Sequence, residues 1–341
     1  TAAVTLVCQL LKPGDLLIAP HDCYGGTYRL FESLAERGLF VVRFVDQTDH
    51  EALRRVFALG PRMVWVETPS NPLLRIVDLE AVAGLCRQHD TLLVADNTFL
   101  SPVLQQPLAL GADLVVHSTT KYLSGNGTSM GGIVVDSGNF DWSASDKFPS
   151  MTEPEPAYHG LKFHETFGPM AFTFHGIAIG LRDLGMTMNP QAAHYTLMGT
   201  ETLSLRMQRH VENAETVAAW LEKDPRVDYV TYAGLKSSPY YKRVKKICPK
   251  GAGGLFTFAV KGGYDACIKL VDSLEIFSHV ANLGDTRSLI IHSASTTHRQ
   301  LTAEQQEAAG AGPGIVRLSI GTEDVDDIIA DLDQALSKAT A

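Results

Sequence analysis

The chain has 341 residues, of which 45% are hydrophobic and 20% charged, and its formal net charge is −9. These values are typical of a soluble globular protein with a large and a smaller domain, and the acidic balance argues against binding of nucleic acid. No apolar run approaches the ~20 residues of a membrane span, and the five cysteines lack C-x-x-C spacing. We therefore expect a cytoplasmic protein without a metal site and without membrane or nucleic-acid partners.

The predicted elements begin with a helix from Thr1 to Leu11, which ends at Lys12-Pro13-Gly14-Asp15. Short apolar runs and helical patterns then alternate, and this alternation predicts an α/β domain with a mostly parallel sheet. The predicted strands are Leu16–Ala19, Phe40–Val45, Met63–Glu67, Leu92–Asp96, Asp113–His117 and Gly132–Val135. The predicted helices between them include Thr27–Arg37, Glu51–Leu59 and Leu79–His89.

Two segments that follow predicted strands carry residues suited to a flat ligand. Tyr24 is suited to stacking on a planar ring, and the paired glycines after it let the backbone come close. The alternative for Tyr24 is a packed loop aromatic. Asn71 follows the strand Met63–Glu67, so we expect it at the same sheet edge as Tyr24.

The strand Leu92–Asp96 ends in an acid, 25 residues before Lys121 (121 − 96 = 25). A helix and a strand fit in that gap, so Asp96 and Lys121 are expected to emerge at one sheet edge. A carboxylate beside the ring nitrogen of pyridoxal phosphate (PLP) keeps that nitrogen protonated. The alternative role for Asp96 is a helix N-cap.

The segment from Val115 to Gly125 is central to this prediction. In it a predicted apolar strand is followed by residues with hydroxyl groups and by a single lysine. Lys121 offers an amine that can form an imine with an aldehyde, and Ser118 and Thr120 offer hydroxyls to a phosphate. PLP carries both groups. The alternative is a surface turn, because serine, threonine, lysine and glycine are common in loops.

The second half of the chain differs in composition. Residues from Asp136 to Pro190 are rich in proline and aromatic residues, which is typical of either a packed insertion or a substrate or subunit contact. A long helical pattern from Thr200 to Glu222 then leads into a smaller domain, for which we predict an α+β sandwich. Its predicted strands are Val227–Tyr232, Leu255–Val260 and Ile315–Ile320, and its predicted helices are Tyr241–Lys246, Tyr264–Leu274 and Val325–Ala335.

Four segments resemble the PLP-dependent Cys/Met metabolism (trans-sulfuration) family, namely DCYGGTYRLF, ETPSNPLLR, ADNTFLSPVLQQPLALGADLVVHSTTKYLSGNG and VRLSIGTED. The resemblance covers essentially the whole chain. It implies PLP fold type I, like aspartate aminotransferase, with a mostly parallel large-domain sheet of the seven-stranded type. The implied domains are a PLP-binding large domain at 1–198 and a smaller α+β domain at 199–341.

The resemblance also implies functional residues and pyridoxal 5'-phosphate as the cofactor. Lys121, Asp96 and Tyr24 are the implied catalytic residues. The implied cofactor site consists of Lys121, Asp96, Tyr24, Ser118, Thr120 and Asn71. Arg317 matches the family's binder of the substrate α-carboxylate, although the pattern around it alone indicates a surface strand residue. Asn282 is the second implied substrate-binding residue, at a position where many relatives have serine.

The activity that the resemblance implies is γ-replacement on O-acetyl-L-homoserine with sulfide, giving L-homocysteine and acetate. The alternatives are a cystathionine γ-synthase, a γ-lyase and a catalytically silent member of the family. We expect the sulfhydrylase-like stretch from Asp136 to Pro190, with Asn282, to narrow the entrance of the site against cysteine. The resemblance further implies a homotetramer.

The family's Ser-Gly-Met phosphate cup and Tyr-x-Arg pair precede the first helix, and neither lies in this sequence. In their absence the phosphate is expected to depend on Ser118, Thr120 and the helix that begins at Thr1. We therefore expect weak retention of the cofactor by the chain as written.

Overall fold

A computed structural model of the protein describes residues 1–71, 73–300 and 302–341, so Pro72 of the predicted strand-end motif lies outside the described residues. The first half forms a sheet in the order β2-β1-β3-β4-β5-β6. β1 to β5 pair in parallel, whereas β6 is antiparallel to β5. The strands are β1 (Leu16–Pro20), β2 (Val41–Val45), β3 (Met63–Glu67), β4 (Leu92–Asp96), β5 (Leu114–Ser118) and β6 (Gly132–Asp136).

Side chains at alternate strand positions point to opposite sides of this sheet. Each face therefore has its own buried cluster, and helices cover both faces. Leu17 and Trp65 belong to one buried cluster, and Ile18 and Val64 to the other. The helices are α1 (Ala2–Cys8), α2 (Gly25–Glu36), α3 (His50–Phe57), α4 (Leu79–Gln88), α5 (Ser101–Leu104), α6 (Pro149–Thr152), α7 (Phe163–Phe167), α8 (Ala171–His175) and α9 (Pro190–Glu201). The prediction of a mostly parallel α/β domain is confirmed.

The second half forms a sheet in the order β7-β8-β11-β10-β9, in which only β9 and β10 pair in parallel. The strands are β7 (Val227–Thr231), β8 (Leu255–Val260), β9 (Ser278–His279), β10 (Leu289–Ile291) and β11 (Ile315–Ser319). The helices are α10 (Leu203–Leu221), α11 (Tyr241–Ile247), α12 (Gly263–Ser273), α13 (Ala303–Ala308) and α14 (Val325–Ala339). The smaller α+β domain is thus confirmed as a fold. The predicted boundary at residue 198 falls inside α9, and it stays a prediction.

One expectation differs from the structure. The large sheet has six strands in the described part of the chain, rather than seven, because β6 is hydrogen-bonded there to β5 alone. The aromatic segment after β6 is packed, as one of the two alternatives for it predicted. Its side chains Trp142, Phe148 and Phe163 are buried against the same face of the sheet as α1.

The two sheets meet at a turn that follows β5. Tyr122 is buried, and its ring packs edge-on against His210 of α10, with the ring centroids 5.1 Å apart. Gly284, before β10, lies directly over this turn. A Cβ atom on Gly284 would lie 2.7 Å from the main-chain nitrogen of Tyr122, and its φ of +73° disfavours any side chain. The contact between the domains therefore requires glycine at position 284.

Because of this contact, we expect Gly284→Ala to lower the free energy of unfolding by about 1–3 kcal/mol. Gly84→Ala is the matched control, since Gly84 lies inside α4 with no heavy atom within 4 Å of its added Cβ. That substitution should stabilise the protein by about 0.5–1 kcal/mol. Denaturant unfolding followed by circular dichroism measures both effects. Equal stability of the two variants would contradict the steric account.

Candidate active site

A cavity of about 500 Å³ lies where the carboxyl ends of β3, β4 and β5 meet the second sheet. This edge is where open α/β sheets bind ligands, and the volume suits a small molecule. The cavity brings together all eight predicted site residues, namely Tyr24, Asn71, Asp96, Ser118, Thr120, Lys121, Asn282 and Arg317. Lys121, Asp96, Tyr24 and Asn71 lie together at the edge of the first sheet, as expected, and the roles of all eight residues stay predictions.

Lys121 lies in the helical turn Thr119–Leu123, which follows β5 directly. Its own backbone angles are not helical (φ −95°, ψ −133°). The side-chain amine donates to Oδ1 of Asn282, which comes from the other domain. Burial, followed by the charge of Arg317, lowers the pKa of Lys121 to about 8. The amine is therefore partly neutral near physiological pH, as a nucleophile must be.

Asp96 ends β4 and is held by the residue two positions later. Oδ1 of Asp96 accepts from the Thr98 hydroxyl at 2.6 Å and from the Thr98 main-chain N–H at 3.0 Å. Burial raises the pKa of Asp96, whereas these two hydrogen bonds lower it. The N-cap alternative does not hold, because the next helix, α5, begins at Ser101. Asp96 closes a local turn and presents its carboxylate to the cavity.

The two hydroxyl residues differ in their surroundings. The Thr120 hydroxyl accepts from the Gly131 N–H at 3.2 Å and faces the Gly131 carbonyl at 3.4 Å. Ser118 is fixed by its main chain, which donates to the Thr98 hydroxyl at 2.8 Å. Both residues line the cavity. Their predicted role as phosphate donors stays a prediction.

Tyr24 precedes the first residue of α2 and is 53% exposed at the rim of the cavity. Its ring folds back over Gly26, because a Cβ on Gly26 would lie 2.4 Å from a carbon of that ring. Gly26, the second of the paired glycines, therefore makes room for the tyrosine itself. This arrangement leaves Tyr24 available to a ligand and does not bury it as a packed loop aromatic.

Arg317 is on β11, a central strand of the second sheet, so it is not a surface strand residue. Its guanidinium donates to Asn71 Oδ1 at 3.0 Å and to the Asn282 carbonyl at 3.2 Å. Burial lowers the pKa of Arg317 to about 10, which leaves it positively charged at neutral pH. The remaining N–H groups can hold a carboxylate with parallel hydrogen bonds.

Three further residues of the site have no predicted role from the sequence. Thr98 orients Asp96, and the Asp-x-Thr spacing of a local side-chain turn is the signal that would have found it. Glu67, the last residue of β3, is buried beside Asp96. His117 is buried in the cavity wall, and burial lowers its pKa to about 4, so it is neutral at pH 7.

None of the residues from Asp136 to Pro190 is among those that line the cavity. Met188 approaches its rim. The Cε atom of Met188 lies 2.6 Å from the position of a Cβ on Gly131. Trp142, Phe148 and Phe163 of the stretch pack on the sheet, and the narrowed entrance stays a prediction.

In the described part of the chain, no three His, Cys, Asp or Glu side chains are grouped so as to hold a metal ion. None of the helices described is both long and apolar enough to cross a membrane.

The site residues fit PLP. An amine with a lowered pKa, a buried carboxylate, two hydroxyls, an exposed aromatic ring and a buried arginine line one cavity of suitable volume. Together with the α/β fold, this donor set defines the class of PLP-dependent enzymes. A family model for "Cys/Met metabolism PLP-dependent enzyme" matches residues 1–337. The chain belongs to this family and is a PLP-dependent enzyme of sulfur amino-acid metabolism.

Several individual proteins are similar to this chain over most of their own length. The O-acetyl-L-homoserine sulfhydrylase of Leptospira meyeri is 44% identical over 98% of this chain and 78% of its own. Among solved structures, a putative O-acetylhomoserine (thiol)-lyase from Campylobacter jejuni has a TM-score of 0.93 and 36% identity, over 98% of this chain and 80% of its own. That protein carries N'-pyridoxyl-lysine-5'-monophosphate. Cystathionine γ-synthase from Xanthomonas oryzae has a TM-score of 0.85 and 39% identity, over 99% of this chain and 79% of its own.

The lowered pKa of Lys121 predicts how cofactor capture depends on pH. Because the neutral amine is the reactive form, covalent capture of PLP should increase as the pH rises through about 8. Arg317→Gln should move this midpoint upward, since the charge of Arg317 helps to lower the pKa of Lys121. The absorbance of the bound cofactor measures the midpoint, with Arg209→Gln on the exposed side of α10 as the control. A midpoint near the ordinary lysine value of about 10.4 would contradict the effect of burial.

Proposed function

We propose that this enzyme replaces the acetate of O-acetyl-L-homoserine with sulfide and releases L-homocysteine. In this reaction the Cγ–O bond breaks, a C–S bond forms, and acetate leaves with the electron pair. The observation that carries the proposal is that Arg317 and the Lys121 amine line one cavity and both bond to Asn282. The similarity to O-acetyl-L-homoserine sulfhydrylases supports the choice of substrates.

Lys121 is the residue that holds the cofactor and moves protons. PLP, when bound, supplies an electron sink for negative charge that develops next to the substrate nitrogen. With a pKa of about 8, the Lys121 amine can take a proton from the substrate and return it near neutral pH. Asn282 accepts from this amine and so fixes its direction.

The other site residues bind and orient. In this proposal Asp96 faces the pyridine nitrogen, and the two donors of Thr98 favour the charged form of its carboxylate. Arg317 holds the substrate α-carboxylate. The remaining cofactor contacts are assigned to Tyr24 for the ring face, Ser118 and Thr120 for the phosphate, and Asn71 for the cofactor edge.

Cystathionine γ-synthase activity is the second candidate, and the likeness to the Xanthomonas oryzae synthase supports it. Cysteine brings an ammonium and a carboxylate, each of which needs a partner, whereas hydrosulfide needs only access. The Asn at position 282, typical of the sulfhydrylases in the resemblance, favours sulfide. A γ-lyase is a third possibility. The presence of both Lys121 and Asp96 argues against a catalytically silent protein.

The proposal includes a homotetramer located in the cytoplasm. Several large apolar side chains between residues 177 and 205 are exposed, and in this proposal a second copy of the chain buries them. They include Ile177, Leu184, Leu197, Met198 and Leu205, each at least 49% exposed. The five cysteines are free and buried, which suits a reducing compartment.

A competition assay tests the reaction. With O-acetylhomoserine offered to sulfide and cysteine together, we expect homocysteine to predominate over cystathionine in the mass spectrum of the products. Arg317→Ala should lower kcat/KM about 10- to 100-fold for both donors, because the substrate carboxylate loses charged hydrogen bonds. Arg209→Ala, at an exposed position of α10, should leave kcat/KM unchanged. Predominance of cystathionine would assign the enzyme to the synthases.

A further inference from the structure

Two acids end adjacent strands of the large sheet. Glu67 on β3 and Asp96 on β4 are direct partners in the parallel register of these strands. Glu67 is 5% exposed, and both residues line the cavity. Two neighbouring carboxylates in a buried site cannot both be ionised without a large electrostatic penalty. The pair therefore has at most one charged member.

The hydrogen bonds distinguish the two members. Asp96 accepts from two Thr98 donors, at 2.6 and 3.0 Å, which favours the charged form of Asp96. Glu67 accepts from one donor, the main-chain N–H of Tyr24, at 2.8 Å. A neutral acid still accepts this bond through its carbonyl oxygen, although less strongly than a carboxylate does.

The hydrogen bond from the Tyr24 main chain connects Glu67 to the rim of the cavity. Tyr24 precedes α2, and the side chain of Tyr24 makes no capping hydrogen bond to that helix. Glu67, which lies on β3 and 43 residues further along the chain, accepts from the main-chain N–H of Tyr24. The position of the Tyr24 ring therefore depends on Glu67 through the main chain.

The two carboxylates near Glu67 act on its pKa in the same direction. Burial raises the pKa of Glu67 well above its usual range, and the charges of Asp96 and Asp22 raise it further, whereas the Tyr24 N–H lowers it. Cys23, in the same segment as Asp22, is buried and its thiol pKa is raised. The nearby cation Arg75 lies 3.8 Å from the carboxylate of Asp22.

We infer that Glu67 is a positioning residue: as a neutral acid it fixes Tyr24 through the main chain and leaves Asp96 the only charged carboxylate of the pair. The part that concerns Asp96 depends on the proposed function, since it assumes that Asp96 serves the cofactor. The neutral state of Glu67 and its bond to Tyr24 do not depend on it.

The sign of the pH effect follows from linkage. An acid whose pKa is raised by folding binds its proton more tightly in the folded state than in the unfolded chain. The stability that this proton contributes is complete below the unfolded pKa of glutamate, about 4.3, and is lost as the pH rises toward the folded pKa. Glu67→Gln is neutral at every pH, so it escapes this loss.

The first experiment compares the thermal stability of wild-type protein and Glu67→Gln without added PLP, from about pH 5 to about pH 8. For each unit of rising pH, we expect the folding equilibrium constant of Glu67→Gln to increase by up to about tenfold relative to that of the wild type. Glu36→Gln is the matched control, because it removes a glutamate from the exposed end of α2. A difference between wild type and Glu67→Gln that stays constant with pH would overturn the neutral state.

The second experiment measures PLP affinity by equilibrium dialysis. Glu67→Gln keeps an oxygen that accepts from the Tyr24 N–H, so its affinity should stay within about threefold of the wild type. Glu67→Met has a similar size but leaves that N–H without its acceptor, and should weaken binding about tenfold. If Glu67→Gln binds as poorly as Glu67→Met, the inference is wrong, because the charge of Glu67 is then required.

Infrared difference spectra between wild-type protein and Glu67→Gln at pH 7 give a test that does not require cofactor binding or turnover. The inference predicts a carbonyl band of a protonated carboxylic acid that is present in the wild type and missing in the variant. A carboxylate band in its place would overturn the inference, even if the enzyme proves to act on other substrates.

Discussion

The site depends on the parallel pairing of β3, β4 and β5. The register sets Glu67 beside Asp96, and Asp96 beside Val116, so the end of each strand reaches the same edge of the sheet. Residues that are far apart in the sequence are thereby fixed next to one another by main-chain hydrogen bonds. The Lys121 turn starts where β5 ends, and its position follows from the same register.

The second sheet turns this edge into a closed site. Asn282 and Arg317 come from the smaller domain and bond to Lys121 and Asn71 respectively, and the charge of Arg317 helps to lower the pKa of the Lys121 amine. The close approach of Gly284 to Tyr122 holds the two domains in this relation. The chemistry of Lys121 is therefore set by both domains, although its position is set by the first.

Much of the fold and of the site could be predicted from the sequence, because a strand end is recognisable as an apolar run followed by polar residues. Lys121 and Asp96 were found in this way, and Arg317 and Asn282 only through the family resemblance. The role of Glu67 was missed, since the sequence does not reveal that β3 and β4 are neighbours. The packing surface of the segment from Asp136 to Pro190 could not be predicted, because its aromatic composition does not reveal which surface it covers. Only the packing of Trp142 and Phe148 on the sheet decides that.

The central claim is that Lys121 is the residue to which the cofactor is attached. Borohydride reduction of the protein after incubation with PLP, followed by digestion and peptide mapping, tests it most directly. We expect the pyridoxyl group on the peptide that contains Lys121, and no such labelling of the same peptide in Lys121→Ala. A label on a different lysine, or equal labelling of the wild type and Lys121→Ala, would contradict the account.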